Sequence, residues 1–279
     1  MIYGNVVMVT GASSGIGKSI AQILMENGYR VYGTSRRPKE DIDTIISGNS
    51  KSSEGLIKML QVDVRSEDSI KKAIDYIIKE EGKIDILINS AGFGIAGSVE
   101  DTSCEEAYEQ FDTNFFGVLR MCHNIIPIMR INGKGIIINI SSVAGLISIP
   151  FQSIYSASKF ALEALSEALR IELKPFGINV VSIEPGDLKT GFTASRKIVS
   201  GANENSLYKE RFTKSLNTMI KDESTGPSPY IVAKVVLKVL KKKNPPVRIV
   251  VGYKYKMLVF LKRFVPAKFV LYVVSKIYS

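Results

Sequence analysis

Two side chains in the middle of the sequence could together transfer a proton to or from a substrate oxygen. Tyr155 and Lys159 are four residues apart, so on a helix their side chains share a face. A free tyrosine has a pKa of about 10 and is a poor acid at neutral pH, but a neighbouring ammonium lowers that pKa. We therefore expect the pair to act on a carbonyl or an alcohol. The spacing alone is also common on helices that carry no chemistry.

Ser142 strengthens this interpretation because it ends the apolar run Gly135–Ser141, which predicts a strand. In open α/β sheets, ligands bind at the carboxyl ends of the strands. A hydroxyl there could polarise a substrate carbonyl and orient it against Tyr155.

A glycine-rich turn stands between the first predicted strand, Asn5–Thr10, and the first predicted helix, Ile16–Asn27. It reads Thr10-Gly11-Ala12-Ser13-Ser14-Gly15-Ile16-Gly17. Glycines let a backbone approach a pyrophosphate, and a helix N-terminus offers free N–H groups and a favourable dipole. A tight packing turn is the alternative, but the position between strand and helix favours phosphate binding.

The second predicted strand, Arg30–Thr34, is followed by bases rather than by the acid that grips the ribose 2′-hydroxyl of NAD. The turn contains Ser35, Arg36 and Arg37. Two guanidiniums can bind a phosphate bidentately, so we expect NADP(H) to be preferred over NAD(H). A solvated charged turn is the alternative.

Apolar runs alternate with helical patterns along the chain, which is typical of a parallel sheet with helices on both faces. The remaining predicted strands are Leu56–Val62, Ile84–Asn89, Gly135–Ser141, Ile178–Glu184 and Val247–Val251. The remaining predicted helices are residues 66–80 (with Ser66 as N-cap), Cys104–Met129, Tyr155–Leu173 and Pro229–Lys242. Right-handed crossovers then give an α/β fold with a Rossmann-type, doubly wound, mostly parallel sheet.

We expect one NAD(P)-binding catalytic domain over residues 1–252 and a basic amphipathic extension over residues 253–279. Residues 187–226 depart from the alternating pattern and predict a mobile helical lid over the substrate. Its apolar residues could face the substrate; they are Phe192, Leu207, Tyr208, Phe212, Leu216 and Met219. An apolar pocket of this kind suits a lipophilic small molecule.

The excess of basic over acidic residues is confined to the C-terminal part of the chain. The net charge is +10, yet residues 1–223 carry 25 Lys and Arg against 27 Asp and Glu, whereas residues 224–279 carry 12 Lys and Arg and no acid. A basic chain suggests nucleic acid as a partner. Here the bases alternate with Val, Leu, Phe and Tyr and form no nucleic-acid motif, so we expect no nucleic-acid partner.

Two apolar stripes at helical spacing, separated by Pro266, run through the extension with bases beside them. The first stripe is Met257, Leu258, Leu261, Phe264 and Val265. The second is Phe269, Val270, Val273, Val274 and Ile277. Such helices can lie on an anionic membrane and make a protein peripherally membrane-associated. The favoured alternative is that they pack on the domain, roof the substrate pocket or cover a subunit interface.

Composition excludes several classes of protein. Cys104 and Cys122 cannot build a disulfide framework, so we expect a cytoplasmic location. His123 is the only histidine, which excludes a His-rich metal site, and we expect no metal. No run reaches the ~18 apolar residues of a membrane span, and residues 1–10 predict a strand rather than a signal peptide.

Taken together, the motifs resemble those of the short-chain dehydrogenase/reductase family, in its main single-domain branch, over roughly residues 4–190. The resemblance rests on Thr10–Gly17, Asp63-Val64, Asn89-Ser90-Ala91-Gly92, Asn114, Ser142, Tyr155-x-x-x-Lys159 and Pro185-Gly186. Ser90 stands where the family usually has a second Asn, which is a conservative departure. The glycine spacing differs from that of the extended branch, which lowers the case for nucleotide-sugar chemistry.

The resemblance implies a role for each matched residue. The implied catalytic residues are Ser142, Tyr155, Lys159 and Asn114, the last holding a water in a proton relay to the lysine. Asp63 and Val64 would contact the adenine, Asn89 and Gly92 would flank its ribose and stabilise the sheet, and Pro185, Gly186 and Thr190 would position the nicotinamide. The full set of implied cofactor residues is Gly11, Ser13, Ser14, Gly15, Ile16, Gly17, Ser35, Arg36, Arg37, Asp63, Val64, Asn89, Ala91, Gly92, Tyr155, Lys159, Pro185, Gly186 and Thr190.

The implied reaction is the reversible reduction of a ketone or aldehyde by NADPH, on a substrate like those of hydroxysteroid or retinol dehydrogenases or on a fatty carbonyl compound. The alternative is a catalytically weak NADP(H)-binding regulator or sensor, which would be expected to lose Ser142, Tyr155 or Lys159. Family members commonly form homodimers or homotetramers. We expect the same here, through the helices Cys104–Met129 and Tyr155–Leu173.

Overall fold

Seven strands form one parallel sheet in the order β3-β2-β1-β4-β6-β7-β9. The computed structural model of the protein describes residues 1–36 and 55–278. The strands are Val6–Val9 (β1), Arg30–Ser35 (β2), Leu56–Gln61 (β3), Ile86–Asn89 (β4), Ile95–Ala96 (β5), Gly135–Ile140 (β6), Ile178–Pro185 (β7), Lys197–Ile198 (β8) and Arg248–Val251 (β9). This order confirms the predicted doubly wound sheet.

Helices follow the strands closely where the hydrophobic pattern places them. They are Gly15–Glu26 (α1), Glu67–Glu81 (α2), Cys104–Phe111 (α3), Gly117–Ile131 (α4), Ser153–Glu172 (α5), Phe192–Ser195 (α6), Lys209–Thr225 (α7), Tyr230–Leu240 (α8), Tyr253–Lys262 (α9) and Ala267–Tyr278 (α10). Ser66 caps α2 as predicted, its side chain accepting from the Ser69 N–H. None of the helices in the described residues is long and apolar enough to span a bilayer.

The inner strands of the sheet are buried on both faces, because alternate side chains enter two separate cores, whereas the edge strands β3 and β9 are only partly buried. Val7 and Val9 face α1 and α8, where Ile20 and Val236 are fully buried. Val6 and Met8 face the opposite core, which α2, α4 and α5 cover. Burial on both faces explains why the strands are apolar throughout rather than alternating.

The long helix predicted over 104–129 is interrupted. A π-helical turn, Asp112–Phe116, separates α3 from α4 and adds one residue to the helical ladder. The hydrophobic pattern continues through this turn, so periodicity gave no sign of it. As a consequence, Asn114 is turned into the protein interior, where it is 1% exposed.

The excursion after β7 contains α6, β8 and α7, and it is tied to the body of the protein. β8 pairs in parallel with β5, forming a second, two-stranded sheet. Ser206 donates to the Asp101 carboxylate (2.7 Å), and the Ser200 N–H donates to Glu106 (2.8 Å). Residues 187–226, predicted to form a mobile lid, are therefore paired and hydrogen bonded to the body of the protein, and their mobility stays a prediction.

A polar layer lies beneath α5, inside the otherwise apolar core. Glu163 on α5 and Glu184 on β7 are 3% and 0% exposed. Their nearest cation is Arg248, whose Nε lies 3.3 Å from Glu163 and 3.9 Å from Glu184. Burial, and then the neighbouring Glu163 carboxylate, raise the pKa of Glu184 to about 8. One of the two carboxyl groups therefore holds a proton at neutral pH.

The raised pKa of Glu184 predicts how the free energy of unfolding depends on pH. Because the pKa of Glu184 is higher in the folded than in the unfolded chain, the stabilisation is present below about pH 4.5 and is lost as the pH rises through about 8. Glu184→Gln carries the neutral form permanently, so it should gain stability relative to the unmodified chain between about pH 5.5 and about pH 8.5. Urea unfolding at the two pH values measures this. Glu167→Gln, at the exposed partner of Arg248, is the control; parallel pH dependence in all three proteins would contradict the prediction.

Candidate active site

The glycine-rich loop turns sharply between β1 and α1. Gly11 has a φ of +68°, and a side chain there would meet the Ala91 backbone at 2.9 Å. A side chain on Gly17 would meet the Gly11 carbonyl oxygen at 2.3 Å. The loop can therefore close in this form only with glycine at these positions.

The N-terminus of α1 is open toward the carboxyl edge of the sheet. No acid stands in its first turn, and Ser14 at the N-cap makes no side-chain hydrogen bond to the helix within the described residues. Ser13 and Ser14 are exposed, and Thr190 lies 3.7 Å from where a Gly15 side chain would stand. Free N–H groups beside this bare glycine surface fit the pyrophosphate of a dinucleotide.

The adjoining edge of the sheet carries the other predicted cofactor residues. Ser35 ends β2, and Arg36 follows it with an exposed side chain; Arg37 lies outside the described residues. A hydrogen bond from Arg65 holds the pKa of Asp63 below its usual range, so its carboxylate is charged. The Val64 side chain is buried against Gly117 on α4.

The segment from Asn89 to Gly92, which begins at the end of β4, is hydrogen bonded to Thr10 at the start of the glycine-rich loop. Thr10 Oγ1 accepts hydrogen bonds from the Ser90 and Ala91 N–H groups, both at 3.0 Å. Asn89 Nδ2 donates to Asn139 Oδ1 (2.9 Å) across the sheet. Its side chain is buried between β4 and β6, where it stabilises the sheet, and its place beside the adenine ribose stays a prediction.

Ser142 and Tyr155 meet at one end of a cavity. β6 ends at Ile140, one residue earlier than predicted, and Ser142 caps a short 3₁₀ turn, Val143–Gly145. Its Oγ accepts from the Ala144 N–H at 3.1 Å and donates to the Pro185 carbonyl oxygen at 3.5 Å. Ser142 and Tyr155, which lies in the first turn of α5, both line the cavity, and the Ser142 hydroxyl is near enough to affect the pKa of Tyr155. The turn therefore fixes the direction in which this hydroxyl faces Tyr155.

Lys159 is anchored to the end of β6 rather than to the tyrosine hydroxyl. Its Nζ donates to the Ile140 carbonyl oxygen at 2.9 Å and lies 5.8 Å from the centre of the Tyr155 ring. Burial raises the pKa of Tyr155 to about 12, and the Ser142 hydrogen bond lowers it only in part. The lowering expected from the Tyr–Lys spacing is therefore absent in the protein chain by itself. Burial also lowers the pKa of Lys159 to about 8.

Asn114 reaches the same place from the π-helical turn. Its Oδ1 accepts from the Phe93 N–H (3.1 Å), and its Nδ2 donates to the Phe93 carbonyl (3.0 Å) and to Ser158 Oγ (3.3 Å). A side chain on Gly92 would lie 3.1 Å from Asn114 Oδ1 and 4.0 Å from Lys159 Nζ. The structure thus brings Gly92, Asn114 and Lys159 together, with the Asn114 amide engaged in holding the Phe93 loop.

A cavity of about 380 Å³ extends from these residues. Ile16, Pro185, Gly186 and Thr190 line its cofactor side. Among the predicted lid residues, Phe192 lines it, whereas Leu207 is 93% exposed. Tyr208 and Phe212 instead pack against Phe151. The lid contributes fewer apolar residues to the pocket than its sequence suggested.

The two C-terminal helices supply most of the apolar lining that the lid does not. The second predicted stripe lies entirely in the cavity lining, which agrees with a roof over the pocket, one of the alternatives that the sequence favoured. The first stripe is divided, because Leu258, Leu261 and Val265 line the cavity whereas Met257 and Phe264 are exposed. The tail residues in the lining are Tyr255, Leu258, Leu261, Lys262, Val265, Phe269, Val270, Val273, Val274, Ile277 and Tyr278. A side chain on Gly186 would collide with the Tyr255 ring at 2.1 Å, so α9 can lie this close to β7 only because residue 186 is a glycine.

A buried ion pair fixes the lid beside Tyr155. Arg196 pairs with Glu223, which also accepts a hydrogen bond from the Thr193 hydroxyl. With its amide oxygen turned toward Arg196, Gln152 accepts from Nε at 3.1 Å. Phe192 packs on the Tyr155 ring with 5.5 Å between ring centres.

Sequence reasoning missed Arg196, Glu223 and Gln152. They stand on three different elements, and no motif or spacing connects them.

Within the described residues, no group of three or more His, Cys, Asp or Glu side chains could hold a metal ion. The site therefore consists of one hydroxyl pair, one buried lysine and an apolar cavity that reaches an open helix N-terminus.

Comparisons with known proteins place this site in a family. A family model described as short chain dehydrogenase matches residues 5–198, and the chain belongs to that family of oxidoreductases. It is 45% identical over 247 residues to the 3-ketodihydrosphingosine reductase of Bacteroides thetaiotaomicron, covering 88% of this chain and 87% of the relative. It is 31% identical to retinol dehydrogenase 8 of Bos taurus, covering 94% and 86%.

Solved structures agree with this placement. A short-chain dehydrogenase from Streptomyces avermitilis superposes with a TM-score of 0.82 at 30% identity, covering 94% of this chain and 92% of that one. Other chains of the same fold have been solved with NAD or with NADP bound.

The Arg196–Glu223 pair generates a prediction about the lid. Arg196→Met leaves a carboxylate buried without its cation, and breaking such a pair costs about 3–5 kcal/mol. We expect the lid to be cleaved much faster by chymotrypsin in the variant than in the unmodified protein. Lys197→Met, which removes the exposed pair with Glu109, is the control and should change little, since exposed pairs contribute about 0–1 kcal/mol. Equal cleavage of the two variants would show that the buried pair does not hold the lid.

Proposed function

We propose that the protein is an NADP(H)-dependent oxidoreductase that interconverts a ketone or aldehyde and an alcohol on a lipophilic, long-chain substrate. The observation that carries the proposal is that Ser142 and Tyr155 meet at the end of a largely apolar cavity, with Lys159 buried directly behind them. Family membership supports the reaction class. All three residues are present, which argues against a sensor that has lost its chemistry.

Each polar group has one task in this proposal. The substrate oxygen lies between Ser142, which donates a hydrogen bond to it, and Tyr155, which donates the proton. When bound, a reduced nicotinamide would supply the hydride to the carbonyl carbon. Lys159 would hold the nicotinamide ribose from its place at the Ile140 carbonyl, and the positive charge of the oxidised ring would favour the phenolate form of Tyr155. Asn114 acts by position, since its amide fixes the Phe93 loop beside Lys159.

The cofactor residues surround one continuous edge of the sheet. The glycine-rich loop, including Ser13, Ser14 and Ile16, would bind the pyrophosphate. Asp63 and Val64 would bound the adenine, and Ala91 and Gly92 would lie beneath it. Pro185, Gly186 and Thr190 adjoin Tyr155 in the cavity lining, which is where a nicotinamide must lie to reach the substrate. The exposed Arg36 supports a preference for the 2′-phosphate of NADP(H), together with Ser35 and Arg37.

The lining of the cavity supports a long-chain substrate. Its charged side chains are Asp187, Glu223 and Lys262, and most of the remaining lining is aliphatic or aromatic. The relative from Bacteroides thetaiotaomicron is named for reducing the ketone of a long-chain sphingoid base. We propose a long-chain keto lipid of this kind. In this arrangement residues 1–252 are the catalytic domain, residues 187–226 its lid, and residues 253–279 the roof over the chain of the lipid.

A homodimer or homotetramer is also part of the proposal. Phe116 and Leu119 at the start of α4, and Phe160 and Ile171 on α5, are large apolar side chains exposed on the helices that family members commonly pair. Covering them in a subunit interface would remove apolar surface from water. The free Cys104 and Cys122 support a cytoplasmic location.

The activity itself is the first test. Loss of NADPH absorbance should be fast with a 3-keto sphingoid base and slow with butanone, since the short ketone leaves the apolar cavity empty. Tyr155→Phe should lower kcat about 10²–10⁴-fold while NADPH still binds, because only the proton donor is removed. Tyr108→Phe makes the same change at an exposed position and should be silent. A Tyr155→Phe variant that keeps a third of the unmodified kcat would exclude Tyr155 as the acid.

Cofactor preference is the second test. We expect kcat/KM to be at least about tenfold higher with NADPH than with NADH, because a charged hydrogen bond to phosphate contributes about 1.5–3 kcal/mol. Arg36→Ala should remove most of that difference by raising the KM for NADPH. Arg130→Ala, an exposed arginine at the end of α4, is the control. Equal kcat/KM for both cofactors in the unmodified protein would refute the preference.

A further inference from the structure

The C-terminal helices are apolar on the side that faces away from the cavity as well. Nine of the 24 large hydrophobic side chains that are exposed in the described residues lie within residues 253–278, about a tenth of the chain. The most exposed in the middle of this segment are Phe264 (71%), Leu271 (63%), Phe260 (58%) and Tyr272 (58%). Single exposed apolar residues are ordinary, but a contiguous group marks an interaction surface.

Helices with apolar residues on all sides are normally buried. Leu258, Val265, Val270 and Val273 face the cavity, whereas Met257, Phe260 and Phe264 are exposed and Phe260 stacks on Phe264 with 5.2 Å between ring centres. Yet no residue of α9 or α10 is buried. The roof thus has a second apolar surface, formed by Met257, Phe260, Phe264 and Tyr272, which we call the outer face. Leu271 instead lines a groove beside Phe160 on α5.

Charge decides between the occupants that could cover the outer face. The two helices themselves, within residues 253–278, carry six Lys and Arg and no acid. A second copy of the chain would bring an equally basic tail against this one, and the like charges would repel. An anionic membrane surface would be attracted instead, by about 1 kcal/mol for each base that lies near it.

The mouth of the cavity lies beside the outer face, since Leu261 and Phe269 are each one helical turn from Phe264 and Tyr272, respectively. Leu261, Phe269 and Ile277 line the cavity and are also 49%, 54% and 47% exposed. They therefore mark where the cavity reaches the outside, between α9 and α10. A lipid chain lying in a bilayer against this surface would have an apolar path to Tyr155.

We propose that the outer face of α9 and α10 docks on an anionic bilayer, with its aromatic side chains in the headgroup region and the mouth of the cavity opening into the membrane. The docking stands on the surface alone. The use of the mouth by a lipid rests on the proposed function.

Co-sedimentation with vesicles tests the docking without any turnover. The full-length protein should pellet with equal parts phosphatidylcholine and phosphatidylglycerol, remain in solution with phosphatidylcholine alone, and be released by salt. Phe260→Ser with Phe264→Ser should lower the partition coefficient about tenfold or more. Ile131→Ser with Leu207→Ser removes two apolar side chains that are even more exposed, elsewhere on the protein, and should leave binding unchanged. Reduction of a water-soluble ketone or binding of NADPH verifies that each variant is folded.

Three outcomes would overturn the docking. They are no sedimentation of the unmodified protein at low salt, sedimentation that the Phe260/Phe264 variant shares, and a loss of oligomer mass by light scattering in that variant alone. The last would assign the outer face to a second copy of the chain.

A second measurement concerns the mouth. With a keto lipid held in the same vesicles, the Phe260/Phe264 variant should turn over at least about tenfold more slowly, in line with its partition coefficient, but equally fast when the lipid is presented in detergent. Equal rates in vesicles would overturn the use of the mouth. Vesicle binding without turnover of any keto lipid would leave docking intact and refute the proposed substrate.

Discussion

The site depends on the contact between α5 and the carboxyl end of β6. Lys159 extends from the helix to the Ile140 carbonyl at 2.9 Å, with its ammonium removed from solvent. A buried ammonium is costly unless it is hydrogen bonded, so this contact fixes how α5 lies across the strand ends. Tyr155, one turn earlier, is thereby held against Ser142. The same burial raises the pKa of Tyr155 and lowers the pKa of Lys159, because in both side chains it disfavours the charged form.

These pKa shifts make Tyr155 a weak acid in the protein chain without a cofactor. A tyrosine with a pKa of about 12 gives up its proton reluctantly. In the proposed function, the positive charge of an oxidised nicotinamide would lower the pKa of Tyr155 by favouring its phenolate form. The protein contributes fixed positions and a dry cavity.

The sequence predicted the parts of the fold that repeat a simple rule. Strands such as Ile86–Asn89 are apolar on both faces, and motifs that follow strand ends, such as Ser142 after β6, meet at one edge because the strands are parallel. The π-helical turn at Asn114 could not be predicted, since one extra residue leaves the apolar pattern intact. Nor could the Arg196–Glu223 pair, because which polar residue of the lid becomes buried is decided by packing and not by its neighbours in sequence. The Tyr155–Lys159 spacing indicated the right helix face, but it gave no information about where the ammonium would donate.

The two C-terminal helices line the cavity on one side and expose apolar side chains on the other. The second predicted stripe lines the cavity, whereas the first is divided between the cavity and the exposed side of α9, so the roof accounts for one side of the helices only. Tyr255 connects the roof to the cofactor edge, because its hydroxyl donates to Asp187 and its ring fills the space that Gly186 leaves. A glycine that lines the proposed nicotinamide position thus also admits the helix that closes the substrate cavity. In the proposed function, substrate selection therefore falls to the C-terminal helices, which lie beyond the residues 5–198 that match the family model, whereas Ser142, Tyr155 and Lys159 lie within that range.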